Sequence, residues 1–204
     1  NGAAGLPRLL LHYGKVPFEN TAIAFDKWPE LKPTVEFNFL PQFEIDGKKY
    51  TQTLAFSIYL ARVFGLMGKD IEEEYQVTST LFCHDDIFSH YVKVFFANDE
   101  YSKKPEVKKA TQEAAVAKVV SILEGLEARY NKTGNKKYFL GDNITLADLW
   151  LAYEIGLNFM TFGKEIFEAP IRKAAPNVTK LIDRLHAEDV KSFIDSDLYF
   201  KNAP

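Results

Sequence analysis

The sequence predicts a small α/β unit followed by an all-helical unit. Three observations carry that expectation. Up to residue 66, short apolar runs alternate with turns. Within that stretch, Asp46-Gly47 separates two short runs, a strong hairpin signal. Beyond residue 70, nearly every apolar residue recurs at helical spacing.

In the first unit, Leu6, Leu9, Leu10 and Tyr13 share one helical face, and Pro7 suits the first turn of that helix. Residues 21–25 (TAIAF) read as a short strand, and residues 28–39 as a loop rich in proline and aromatics. The hairpin spans residues 43–50. Thr53 then opens an apolar helix that runs from Leu54 to Phe64 and closes near Gly65. Residues 65–69 (GLMGK) mark the linker, which divides the chain into 1–66 and 70–204. In the second unit, residues 72–96 read as one long helix. Residues 105–130 form another, with Val116, Val119, Val120, Leu123 and Leu126 as its buried stripe. A polar loop covers 131–137, and further helices cover 145–160 and 177–186.

Composition removes several classes of function. With 204 residues, the chain is long enough to bury a core without a disulfide or metal staple. A net charge of −3 offers no basic excess for nucleic acid or an acidic membrane surface. No apolar run approaches the roughly 20 residues that span a bilayer. Cys83 is the single cysteine, so no intrachain disulfide forms and a reducing, cytoplasmic compartment is expected. The chain opens at Asn1 without a signal-like segment. The three Asn-X-Thr sequons at Asn131, Asn143 and Asn177 are therefore read as chance.

Few local motifs carry chemistry by themselves. Pro41 precedes a strand. It is either an ordinary loop proline or a cis proline that exposes the backbone groups of the residue before it; the rarity of cis bonds favours the former. Thr53, at a helix start, caps that helix, or else the same N-terminus holds a carboxylate. Thr145 and Asp148 have capping-box spacing, with Asp in place of Glu or Gln, and are read as structural. Cys83, Asp86 and His90 lie on one helix face beside His84 and Asp85. Their spacing matches no standard metal signature, so the face is read as polar or interfacial. Cys83 has no activating base nearby in sequence and is not read as a nucleophile. His12 and His186 are isolated.

Taken together, five ordered segments resemble the cytosolic glutathione S-transferases. The nearest likeness is to the sigma class, which includes haematopoietic-type prostaglandin D synthases, nematode transferases and lens S-crystallins. Residues 2–17 (GAAGLPRLLLHYGKVP) resemble the family's first helix and its exit. Residues 28–34 (WPELKPT) resemble its W-P-x-x-K segment. Leu40-Pro41 followed by Ile45-Asp46-Gly47 resembles its V-P-x-L-x-x-D-G turn. Gln52-Thr53-Leu54-Ala55 with Tyr59-Leu60-Ala61-Arg62 resembles Q-S-x-A-I-x-R-Y-L-A-R. Gly141-Asp142 with residues 145–148 resembles its C-terminal folding motif.

The resemblance implies a thioredoxin-like domain over 1–66 lacking its first strand, a helical-bundle domain over 70–204, and a homodimer. It implies glutathione as co-substrate, a small hydrophobic electrophile or a prostaglandin-like endoperoxide as second substrate, and no metal. Residue by residue, Trp28 and Lys32 would meet the glycine end of glutathione. Leu40, before cis Pro41, would pair its backbone with the cysteinyl part. Gln52 and Thr53 would hold the γ-glutamyl end. Asp86 would reach the glutathione amine in the partner subunit.

The family's catalytic tyrosine would fall about four residues before Asn1, by the match of residues 1–8 to R-G-R-A-E-x-x-R. The chain departs from the family pattern at Ala3 (arginine), Gly5 (glutamate), Glu36 (proline) and Phe39 (Gln or Lys). Those departures keep a second expectation open: a non-catalytic structural or scaffolding subunit, alone or in a larger assembly. Phe88, Tyr91, Phe95, Phe96 and Phe159 are candidates for the electrophile wall, with core packing as the simpler role.

Overall fold

A computed structural model describes residues 2–96 and 100–199. A 3-10 turn leads into α1 (Gly5–Tyr13), which turns Leu6, Leu9 and Leu10 inward. Three short helical turns follow, the first being α2 (Trp28–Leu31). Strands β1 (Gln42–Ile45) and β2 (Lys48–Thr51) pair antiparallel, with Phe43 opposite Tyr50 and Ile45 opposite Lys48. The two-residue turn between them, Asp46-Gly47, has φ of 51° and 75°. A tight hairpin requires left-handed residues there, and an Asp-Gly pair supplies them. Helix α3 (Thr53–Val63) closes this unit by packing on α1.

The second unit is helical throughout: α4 (Ile71–Leu81), α5 (Cys83–Phe96), α6 (Pro105–Lys132), α7 (Leu146–Trp150), α8 (Lys164–Ala174), α9 (Pro176–Ala187) and the short α10 (Lys191–Ile194). Its core is built on fully buried Trp150, Phe139, Phe159, Phe167 and Phe193. Phe159 meets Phe167 edge-on at 4.9 Å, and Tyr91 meets Phe159 at 5.1 Å. Phe95 also stands within 6.3 Å of Phe167. Tyr91, Phe95 and Phe159, candidates for a substrate wall, are thus packed as one aromatic cluster in the core. The side chain of Phe96 and residues 97–99 and 200–204 lie outside the described residues.

Three expectations need correction. Residues 21–25 are not a strand; they are largely exposed and hydrogen-bond to no neighbouring strand, and a short apolar run without a ladder partner does not make one. Residues 72–96 are not one helix but break at Phe82. Around the break, Thr80 and Ser79 hydroxyls donate to the Gln76 carbonyl. Arg129 reaches from α6 to the same carbonyl and both hydroxyls. Such competing donors bend a helix. Residues 145–160 are not a uniform α-helix either: α7 widens into a π-helix over Leu151–Phe162. There His186 Nε2 bonds the Ala152 carbonyl at 2.9 Å, and Gly156 leaves the room its ring fills. The 65–69 segment is itself packed. Leu66 and Met67 are buried, and the Leu66 carbonyl accepts from the Leu146 N–H at 2.8 Å.

The predicted capping box is present. Asp148, fully buried, accepts from the Phe139 N–H (2.7 Å), the Thr145 N–H (2.9 Å) and the Thr145 hydroxyl (3.0 Å). Burial pushes its pKa up to about 6, against the pull of those donors. It joins the 138–141 turn to the start of α7, beside the point where Leu66 crosses from the first unit.

Candidate glutathione-binding groove

Six of the seven residues singled out lie on consecutive segments of the first unit. Leu40 is exposed, and its peptide bond to Pro41 is cis. Its own N–H and C=O make no hydrogen bond among the described residues. An exposed backbone donor and acceptor side by side are what a second extended peptide needs to pair with. Trp28, half-buried, begins α2, and exposed Lys32 follows on its last turn, with no acidic partner among the described residues.

The start of α3 is the most unusual local geometry. Gln52 has φ 67° and ψ 108°, a conformation that L residues avoid. Such strain costs on the order of 1–3 kcal/mol and clusters at ligand clamps. Thr53 does not cap the helix. Its hydroxyl instead donates to the Ala3 carbonyl at 2.8 Å, holding the N-terminal segment. Consequently the N–H groups of Thr53, Leu54 and Ala55 have no partner among the described residues, and the first helical bond is Phe56 N–H to Gln52 O. Three free N–H groups at the positive end of an eleven-residue helix favour a carboxylate. Nearby, the Thr51 hydroxyl donates to Glu36 Oε2 at 2.8 Å, so the departure at position 36 braces the hairpin.

The seventh residue, Asp86, stands apart on α5. It is exposed, with Lys118 of α6 at 3.9 Å. Nothing else among the described residues engages its carboxylate.

A family model described as "Glutathione S-transferase, C-terminal domain" matches residues 85–197. A glutathione S-transferase of Manduca sexta is 41% identical over 98 residues, 48% of each chain. A hematopoietic prostaglandin D synthase of Gallus gallus is 31% identical over 150 residues, 73% of this chain and 70% of that one. The solved glutathione S-transferase of Ascaris lumbricoides superposes with a TM-score of 0.72 at 27% identity, covering 97% of this chain and 95% of that one.

The chain belongs to the glutathione S-transferase family.

Within that family fold, two features went unread in the sequence. The departure at Gly5 has a steric reason: a Cβ there would run into the ring of Tyr153, whose hydroxyl donates to the Gly2 carbonyl at 3.0 Å. Thr53 and Tyr153, one from each unit, thereby clamp residues 2–3. The second is a buried pair between α5 and the π-helix. His84 Nδ1 stands 3.5 Å from Glu154 Oε2, an ion-pair distance rather than a full hydrogen bond. Glu154 Oε1 and Trp150 Nε1 are buried without a hydrogen-bond partner among the described residues. Burial pulls the His84 pKa down, but Glu154, with help from Asp85, outweighs it and holds the imidazole above its usual value. Burial and the charge of Glu154 together push Tyr91 up to about 12. Glu154, a charged residue inside the mostly apolar 149–160 run, was the available signal. Among the described residues, no group of three or more His, Cys, Asp or Glu is placed to hold a metal ion.

Cys83 is half-buried, and burial raises its thiol pKa. It therefore stays a poorly reactive thiol at neutral pH.

Proposed function

We propose that the chain is a cytoplasmic glutathione transferase that conjugates or isomerises small hydrophobic electrophiles through the glutathione thiolate. The relatives named above, a glutathione S-transferase and a prostaglandin D synthase, support both reaction types. The uncapped start of α3 carries the reading. Its three free N–H groups receive the γ-glutamyl carboxylate, and the Gln52 side chain beside them, which bonds to nothing else among the described residues, takes the same end. The free N–H and C=O of Leu40 pair with the cysteinyl residue. Trp28 and Lys32 receive the glycine end, Lys32 as an unpaired cation for its carboxylate.

Binding in this way fixes the thiol in one place, and orientation contributes much of the rate of a bimolecular attack. A thiol near pKa 8.5 is mostly protonated at neutral pH, so turnover also requires a donor aimed at sulfur. Tyr50 is stacked on Tyr59 and packed at a tilt against Phe56, which does not suit it to that role.

The two units divide at 66–70, the first serving glutathione and the second the electrophile. The working form is a homodimer. Tyr59 and Val63 on α3 are 41% and 62% exposed, and Tyr75 on α4 is 62% exposed. The Arg62–Glu74 ion pair links these two helices, and a partner subunit would cover the exposed apolar side chains on both. Asp86, on the helix after α4, then reaches the partner subunit's glutathione.

Full-length protein should be retained on immobilised glutathione and should turn over an aryl halide with glutathione. Gln52→Ala and Trp28→Ala should each weaken retention. Undiminished retention by both variants would show that the groove is wrongly placed. Retention without turnover of any electrophile would favour a structural subunit. Sedimentation at micromolar concentration should show a dimer; a monomer removes the role of Asp86.

A further inference from the structure

A hydroxyl inside an apolar core has to find a partner. Tyr153 is 2% exposed and lies on the π-helix, in a stretch where every residue from Leu146 to Met160 is buried. Its hydroxyl finds that partner in the other unit, donating to the Gly2 carbonyl at 3.0 Å. Burial raises its pKa, so the phenol stays a neutral O–H donor. Gly5 opens the way to it, since a Cβ at that position would overlap the Tyr153 hydroxyl. Gly5, one of the departures from the family pattern, and Tyr153 are thus a matched pair.

The segment held in this way borders the glutathione groove. One residue further on, the Ala3 carbonyl accepts from the Thr53 hydroxyl at 2.8 Å. Thr53 is the first residue of α3, whose three free N–H groups are the seat assigned above to the γ-glutamyl carboxylate. Resting on that assignment, we propose that Tyr153 is a positioning residue for glutathione: from the helical unit it anchors residues 2–3 and, through them, the start of α3.

Gly2 and Ala3 are exposed, so packing holds them weakly. The Thr53 bond therefore steadies α3 only if something else fixes the segment on which it ends. Tyr153 supplies that fixed point from the most deeply packed part of the chain. The strain at Gln52 gives this a purpose. A non-glycine residue at φ 67° persists only where its surroundings over-determine it, and Thr53 is its immediate neighbour. The series Tyr153, Gly2, Ala3, Thr53 supplies such determination across the boundary between the units. Tyr153 acts through these residues and not by contact with the ligand.

The test is calorimetric titration of the full chain with S-methylglutathione, well below the melting transition. Tyr153→Phe keeps the ring and removes only the donor. It should weaken binding about fivefold, the scale of one net hydrogen bond. It should also shift the amide resonances of Thr53, Leu54 and Ala55 in the free protein. Tyr138→Phe is the control, because it deletes a hydroxyl bond of the same 3.0 Å length, to Asp189. It should leave the affinity and those three amides unchanged. If the wild type binds and Tyr153→Phe binds equally well, the positioning role is overturned while the groove assignment stands. Equal loss in Tyr138→Phe would trace the effect to stability and overturn that role too. A wild type that binds nothing up to millimolar concentration overturns the groove assignment, and this role with it.

Discussion

The two halves of the chain bury their apolar side chains very differently. Between Leu10 and Phe56, Val35 is the one buried residue, while Phe25, Phe37 and Phe39 are 97%, 57% and 69% exposed. From Leu146 to Met160, by contrast, every residue is buried. The contrast separates a rigid support from a recognition surface. Binding residues sit on loops and element ends, held by a packed scaffold. Here the support is local: α3 stacks Phe56 on Phe43 at 4.0 Å, and α1 and Leu66 tie the unit to α7.

The comparison can be broken by two matched substitutions. Phe167→Ala, at a fully buried site between Phe95 and Phe159, should cost about 3–5 kcal/mol in urea denaturation. Phe43→Ala, at a half-buried site on β1, should cost about 1–2 kcal/mol. Equal losses would mean that the hairpin is as much a part of the core as the aromatic cluster.

A smaller effect tests the seam between the halves. Asp148→Ala should cost about 2–3 kcal/mol, because the N–H groups of Phe139 and Thr145 lose their acceptor while buried. The charge at this site has its own pH signature. Asp148 in the folded chain titrates at about 6, above an ordinary aspartate, so the folded state binds the proton more tightly than the unfolded one. That contribution to stability is full below the unfolded value and is lost as pH rises toward and through 6. Lowering pH from 7 toward 4 should therefore stabilise the wild type relative to Asp148→Asn. A constant difference between the two proteins across that range would show that Asp148 stays ionised.

What was legible in the sequence was local. Asp46-Gly47 carries its own turn geometry, and Thr145 and Asp148 meet through an i, i+3 spacing. What was not legible depends on distant partners. The break at Phe82 needs Arg129, and the π-helix is stabilised by His186 from α9. The short apolar run at 21–25 reads as a strand only if another strand lies beside it. The groove divides in the same way. Gln52 and Thr53 announce a helix start in the sequence, but the strained φ of Gln52 and the diversion of the Thr53 hydroxyl to Ala3 are tertiary facts.

The buried His84–Glu154 pair sharpens the contrast further, with a smaller effect than that of Asp148. Its histidine is held above the usual pKa, so the pair stabilises the fold below the unfolded imidazole value, and that contribution is lost as pH rises through the folded value. Wild type should thus lose stability as pH climbs through and above neutral, and Glu154→Gln should flatten that slope. An unchanged slope in the variant would assign the dependence to other groups.

The smallest effect decides whether the hairpin opens on its own. Gly47 sits at φ 75° in open space, so Gly47→Ala meets no steric clash and costs only the left-handed backbone term, about 1 kcal/mol. If the first half is a local unit of low stability, that cost should speed amide exchange in β1 and β2 and leave α6 and α9 unchanged. Exchange that quickens equally in α6 would mean the hairpin opens only with the whole chain. The exposed surface of the first half would then be as firmly held as the buried second half, and the division between support and recognition surface would vanish.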